Sequence, residues 1–192
     1  SQDSKPYVLG AIFSQTGRYA FVGKPGAEVL GSMNNPGVSF QIRDTQGDKA
    51  QAVAFYEEMA KDPNVLGVIG PATTDETLAI LSLADRYKLP CLSISAADRT
   101  QPKSPWVFRL PITTYHMVYQ IDDYLARRNL NRVAMVSVDS GFGRAGRREF
   151  LTQAADFHLN LVADVVSPDR TLTPEESDSL IGQAMKSRPQ AL

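Results

Sequence analysis

Short apolar runs alternating with helical patterns constrain this chain more than any other feature. Residues 7–13, 38–42, 65–69, 91–95, 133–138 and 161–166 each read as a buried strand, apolar over most of their length and bounded by turn-forming residues. Between them lie helical patterns at 48–61, with Asp48 as N-cap, and at 74–87, 115–128, 144–155 and 174–186. Strands alternating with helices join through right-handed crossovers, so a parallel α/β sheet is the expected fold class.

Three places depart from the alternation. Residues 97–105 are polar and turn-forming, and the short strand WVFRL at 106–110 follows before a new helix, so a crossing from one lobe to another is expected there. Between Gly23 and Val38, KPGAEVLGSMNNPG leaves room for only about two turns of helix, because Gly31 and Pro36 both work against more. The final SRPQAL stops where the pattern calls for another strand, which reads as an incomplete domain.

Composition narrows the function classes. A chain of 192 residues that is 43% hydrophobic can bury the core of one large domain or two small ones. Lys plus Arg at 20 against Asp plus Glu at 21 creates no net field for nucleic acid or anionic lipid, and Arg127, Arg128 and Arg132 read as a solvated helix end. No apolar run approaches the ~20 residues of a membrane span, and the opening SQDSKPY lacks the parts of a signal peptide. A cytosolic protein or a mature exported one is expected. The single cysteine, Cys91, excludes an internal disulfide and reads as a small buried apolar residue.

The stretch VAMVSVDSGFGRAGRREF holds a literal G-x-G-x-x-G, made by Gly141, Gly143 and Gly146. A dinucleotide site would use such a loop, with Asp164 as the acid about 20 residues on that holds the ribose hydroxyls. Against this, Asp139 and Ser140 separate the strand from the first glycine, Asp139 puts negative charge beside a pyrophosphate, and the strand is the fifth of the chain. The glycines serve better as a sharp turn at a strand's carboxyl end, presenting Phe142 to a crevice where its ring covers an apolar or aromatic ligand. The competing use of Phe142 is a core plug beneath the helix.

A second stretch, GPATTDETLAILSLADRYK, ends a strand at Gly70 and Pro71 and begins a helix with the T-x-x-E spacing of a capping box at Thr73 and Glu76. Free amides, the helix dipole and the hydroxyls of Thr73 and Thr74 suit a carboxylate, while the plainer reading is that Thr73 and Glu76 only cap the helix. In the following strand and loop, alternation places Cys91, Ser93 and Ser95 on one face and Leu92 and Ile94 on the other, with Ser95 nearest the crevice. His116 reads as a cap or hinge contact and His158 as a surface turn. With no H-E-x-x-H, C-x-x-C, P-loop or G-x-S-x-G, neither a catalytic triad nor a zinc centre is expected.

The ordered series AIFSQTGRYAFVGKP, IRDTQGDKAQAV, VIGPATTDETLAI, LPCLSISAA, WVFRLP and SGFGRAGR resembles the type I periplasmic ligand-binding proteins of the branched-chain amino acid kind, the receptors of ABC importers. The resemblance implies a periplasmic-binding-protein-like I fold, two Rossmann-like lobes with parallel sheets that are joined by a hinge and close over a small ligand. Residues 1–113 would form the first ligand-binding lobe and 114–192 part of a second, incomplete one. By the same resemblance Tyr19 is an aromatic near the cleft. Thr73 and Thr74 hold the ligand carboxylate, and Ser95 and Ala96 form the neighbouring loop. Thr114 lies just past the crossing, and Phe142 is the aromatic that closes over the ligand. The family's first crossover helix is longer than GAEVLGSMNNPG allows, and its second lobe continues well past residue 192. Acidic residues that clamp an α-amino group commonly lie in that later part, so ligand identity is not implied.

For function the resemblance implies a periplasmic or otherwise extracytoplasmic solute receptor, a monomer in its mature form without signal peptide. It would deliver a small carboxylate, an amino acid or an aromatic acid, to a membrane permease, with no cofactor and no nucleic-acid partner. The alternative is a ligand-sensing domain of a receptor or regulator, since a fold does not settle function. A nicotinamide-dependent oxidoreductase built on the Gly141 loop comes third.

Overall fold

The computed structural model describes residues 7–96 and 103–192. It divides into two compact units, Ser1–Pro111 and Ile112–Leu192.

The first unit is a five-stranded sheet in the order β2-β1-β3-β4-β5, with every pairing parallel. Its elements are β1 (Tyr7–Phe13), α1 (Ala20–Ser32), β2 (Val38–Asp44), α2 (Lys49–Lys61), β3 (Val65–Ile69), α3 (Thr74–Tyr87), β4 (Cys91–Ser93) and β5 (Val107–Arg109). Period-two alternation divides the strand residues between two faces. Ile12, Val65, Val68 and Cys91 pack with Ala52, Tyr56 and Met59 of α2 and Ile80 and Ala84 of α3. On the other face Ala11 and Phe13 pack with Ala27 of α1. Tyr56, fully buried, donates its hydroxyl to the Leu89 carbonyl at 2.6 Å, which satisfies its one polar atom. The buried Cys91 thiol donates to the Gly70 carbonyl, and burial pushes its pKa up to about 12, as its reading as an inert core residue requires.

Two expectations are corrected here. Helix α1 runs 13 residues, where glycine and proline suggested about two turns. Tertiary contact overrides the propensity: a Cβ on Gly23 would stand 2.4 Å from the Ser14 carbonyl oxygen, so the glycine lets α1 lie directly on the end of β1. Nor is every strand covered on both faces. Leu92 and Phe108 are register partners and remain 39% and 53% exposed, beyond the area of the sheet that packs under α1.

The second unit holds α4 (Thr114–Arg127), β6 (Arg132–Val138), α5 (Gly141–Gln153), β7 (Asn160–Ser167) and α6 (Pro174–Met185). Strands β6 and β7 pair in parallel, and the chain's last residues add a parallel bridge from Ala191 to Val133 on β6. Val118, Leu125, Val133, Phe150, Ala154 and Leu159 make its core. The expected polar crossing at 97–105 falls largely outside the described residues, and the strand after it pairs with β4 of the first sheet.

Candidate functional site

Parallel α/β sheets present their loops and helix starts at the carboxyl ends of the strands. In the first unit that edge is held together by one buried side chain. Glu76, in the first turn of α3, has no exposed surface. Its carboxylate accepts from the Ser14 hydroxyl at 3.2 Å, from the Thr73 hydroxyl at 2.6 Å, from the Thr73 amide at 3.3 Å and, through a short bond, from the Thr45 hydroxyl. Ser14 follows β1, Thr45 follows β2 and Thr73 is the N-cap of α3, so three chain segments meet on one carboxylate. The local half of this arrangement is the capping box read from sequence. The long-range half, Ser14 and Thr45, is not visible in any local motif.

The network continues from Thr73 to the β4 loop. The Thr77 hydroxyl lies 2.9 Å from the Thr73 carbonyl and 2.8 Å from both the Ser93 and Ser95 hydroxyls, which are themselves 2.9 Å apart. All three hydroxyls are buried, and the expected placement of Cys91, Ser93 and Ser95 on one face holds. Ser95, 2% exposed, therefore supports the loop from beneath instead of offering a free hydroxyl, while Ala96 beside it is half-buried. Thr74 differs from both neighbours. It opens α3, is 4% exposed, and among the described residues its hydroxyl has no hydrogen-bond partner.

Tyr19 stands at the N-cap of α1, half-buried, against the β2–α2 loop. A Cβ on Gly47 would come within 2.8 Å of its ring, and Gly47 has φ +77°, so this glycine is required both by the turn and by the aromatic packed on it. The Arg18 guanidinium lies 5.5 Å from the same ring. Asp44 fixes the adjoining loop. Desolvation raises its pKa, but bonds from the Thr16 hydroxyl and the amides of Gln46, Gln15 and Thr16 outweigh that and hold it below the usual value. Thr73 and Ser95 are thus joined through Thr77 in one hydrogen-bonded network, and Tyr19, Thr74 and Ala96 follow β1, β3 and β4 at the carboxyl ends of the same sheet.

In the second unit Thr114 opens α4 and is 2% exposed, beside Gly146 of α5. His116 approaches the N-cap Thr113 hydroxyl at 2.9 Å, the cap contact read for it. The glycine series is not a free loop: Gly141, Gly143 and Gly146 all lie within α5. Ser140 caps that helix, accepting from the Gly143 amide. A Cβ on Gly143 would sit 1.9 Å from the Val138 carbonyl oxygen, so this glycine allows close packing of helix on strand. Asp164, which a nucleotide ribose would need, is bound by Arg147. Phe142, the second residue of α5, is 53% exposed and belongs to none of the hydrophobic clusters.

Among the described residues no group of three or more His, Cys, Asp or Glu side chains could hold a metal ion, and no helix is long and apolar enough to cross a membrane.

Comparison with known proteins identifies the architecture. A family model described as periplasmic binding protein matches residues 6–192. The chain belongs to that family. Membership places it among binding proteins and not among enzymes. The fold is shared with an extracellular ligand-binding receptor from Rhodopseudomonas palustris HaA2, at a TM-score of 0.84 and 17% identity, covering 97% of this chain and 53% of that one. It is shared equally with a solute binding protein of an ABC transporter from Rhodopseudomonas palustris BisB5, solved in complex with 3,4-dihydroxy benzoic acid. There the TM-score is 0.81 and the identity 19%, over 97% of this chain and 53% of that one. Among curated proteins, glutamate receptor 2.9 of Arabidopsis thaliana is 26% identical over 151 residues, 78% of this chain and 15% of the receptor. The chain thus spans about half the length of these solved structures and a smaller share of the plant receptor.

Proposed function

We propose that this chain is the greater part of the ligand-binding region of an extracytoplasmic solute receptor serving an ABC importer. Its ligand is a small carboxylate, either an amino acid or an aromatic acid. The observation that carries the reading is the family match running from residue 6 to residue 192. In the proposed first lobe, residues 1–113, the ligand meets Tyr19, Thr74 and Ala96, with Thr73 and Ser95 holding the edge from beneath. In the second, from residue 114, it meets Thr114 and the exposed ring of Phe142. Binding of 3,4-dihydroxy benzoic acid by a structural relative supports the aromatic-acid class. The membrane partner is the permease of the importer, and the receptor works as a monomer.

Calorimetric titration of the protein with a panel of amino acids and hydroxylated benzoic acids tests this. Saturable binding by one class is expected, and no heat from any of them at millimolar concentration overturns it. The likeness to plant glutamate receptors favours a second reading, a ligand-sensing domain. Permease and ATPase genes beside this one support transport, whereas fusion to a signalling domain supports sensing.

A further inference from the structure

Helix α1 begins without a side-chain cap hydrogen bond of its own, whereas Asp48 caps α2 and Thr73 caps α3. Its start is held instead by the neighbouring loop. Parallel pairing sets Asp44, the last residue of β2, opposite Phe13, the last of β1, so the loops that follow leave the sheet side by side. The Asp44 carboxylate reaches from one to the other. One oxygen accepts from the amides of Gln15 at 2.8 Å and Thr16 at 3.2 Å, and from the Gln46 amide of its own loop at 2.9 Å. The other accepts from the Thr16 hydroxyl at 2.6 Å. Desolvation opposes the charge, but these bonds outweigh it and keep the carboxyl ionised at neutral pH.

Two glycines complete the interlock. Gly17 and Gly47 both have left-handed φ, +76° and +77°, and each lies where the other loop presses on it. A Cβ on Gly17 would stand 2.8 Å from the Gln46 carbonyl oxygen, and one on Gly47 would stand 2.8 Å from the Tyr19 ring. Residues 44–47 thus set the path of the neighbouring loop from Gln15 to Tyr19.

We infer that Asp44 is a positioning residue for ligand binding, holding the Tyr19 ring in its binding orientation through the backbone of Gln15 and Thr16. The inference rests on the proposal that Tyr19 meets the ligand. Asp44 acts at one remove, without touching the ligand. A loop ordered before binding loses less entropy when the ligand arrives, so the interlock contributes to affinity as well as to stability.

Nitration of the unliganded protein by tetranitromethane, followed by mass spectrometry, tests the holding directly. Asp44→Ala should speed nitration of Tyr19 about threefold or more and leave that of Tyr124, an exposed ring in the second unit, unchanged. Asp44→Asn should stay near wild type, because its amide oxygen still accepts from the backbone and the Thr16 hydroxyl can turn to accept from its NH2. Equal rates at Tyr19 in wild type and Asp44→Ala overturn the inference with no ligand needed. Calorimetric titration with para-hydroxybenzoate and with leucine tests the consequence. For the acid that binds, Asp44→Ala should weaken affinity about tenfold, and Thr16→Ala, which removes one bond at an exposed residue and keeps the fold, about threefold. In a Tyr19→Ala background neither change should alter affinity by more than about twofold. A merely structural role would weaken both backgrounds alike. That result, or unchanged affinity in Thr16→Ala, overturns the inference. No heat from either acid or from the rest of the acid panel, with the nitration contrast intact, overturns the receptor reading and upholds the holding of Tyr19, which separates the two failures.

Discussion

Among the described residues each unit buries one carboxylate completely, and the two are treated in opposite ways. Glu76 in the first unit is surrounded by hydroxyl and amide donors drawn from three segments of chain. Asp122 in the second lies on the buried face of α4 with neither oxygen hydrogen-bonded. Helix α5, which packs against α4, brings Glu149 and Gln153 as its buried polar side chains, and one oxygen of Gln153 is also without a partner. Burial raises the Asp122 pKa from an ordinary 3.8 to about 7. The contrast shows that burial alone does not set a carboxylate's role. Donors make a buried acid a structural tie, whereas their absence at Asp122 leaves a group that favours its proton.

The largest expected effect comes from removing the tie. Glu76→Ala strands the Ser14, Thr45 and Thr73 hydroxyls at the strand ends, and its cost is expected to be about 3–5 kcal/mol in denaturant unfolding followed by a probe in the first unit. Glu76→Gln should cost much less, because the amide oxygen keeps the cap and hydroxyls can rotate to accept from its NH2. Equal losses in the two variants would show that the hydrogen bonds Gln retains do not make the tie.

Asp122 should produce the next largest effect, and only above acid pH. Its folded-state pKa is raised, so the folded protein binds the proton more tightly than the unfolded chain does. The contribution of Asp122 to stability is therefore greatest below about pH 4, falls as pH rises from about 4 to 7, and levels off beyond. Asp122→Asn lacks this slope, and should exceed the wild type by about 2–4 kcal/mol at pH 8. The two should converge at pH 4. A wild-type melting temperature that is flat from pH 4 to 8, after correction by the variant, would show that Asp122 has found a partner and would erase the comparison.

Two smaller effects concern residues proposed to meet the ligand, one in each unit. Thr74→Val should leave folding nearly unchanged, since its hydroxyl has no internal partner, and lower ligand affinity about tenfold in calorimetry. Phe142→Ala should alter stability by less than about 0.5 kcal/mol because the ring is exposed, while raising the ligand dissociation rate in stopped-flow measurements. A large drop in melting temperature with unchanged affinity would make Phe142 a core residue after all.

What could be read from sequence was mostly local. The Asp48 cap, the Thr73 and Glu76 box and the limits of α3 follow from side chains within four residues of one another. The run of parallel strands followed from apolar periodicity. Helix α1 and the start of α5 were underestimated because glycine lowers helix propensity, and only the packed structure shows what those glycines lie against. The tie at Glu76 needed partners 62 and 31 residues away, Ser14 and Thr45, each a single hydroxyl residue just past a strand. Asp122 carried no signal beyond being acidic at a position whose helical neighbours Val118 and Leu125 are core residues.

Gly143 extends this lesson to heredity. Its missing side chain leaves room for the Val138 carbonyl, so mutation at that codon meets a wall of backbone, whereas Gly182, with open space around it, tolerates replacement freely. A Cβ on Gly146 would meet only the Thr114 methyl at 3.8 Å, an ordinary contact, so within the G-x-G-x-x-G it is Gly143 and not Gly146 that close packing of helix on strand demands.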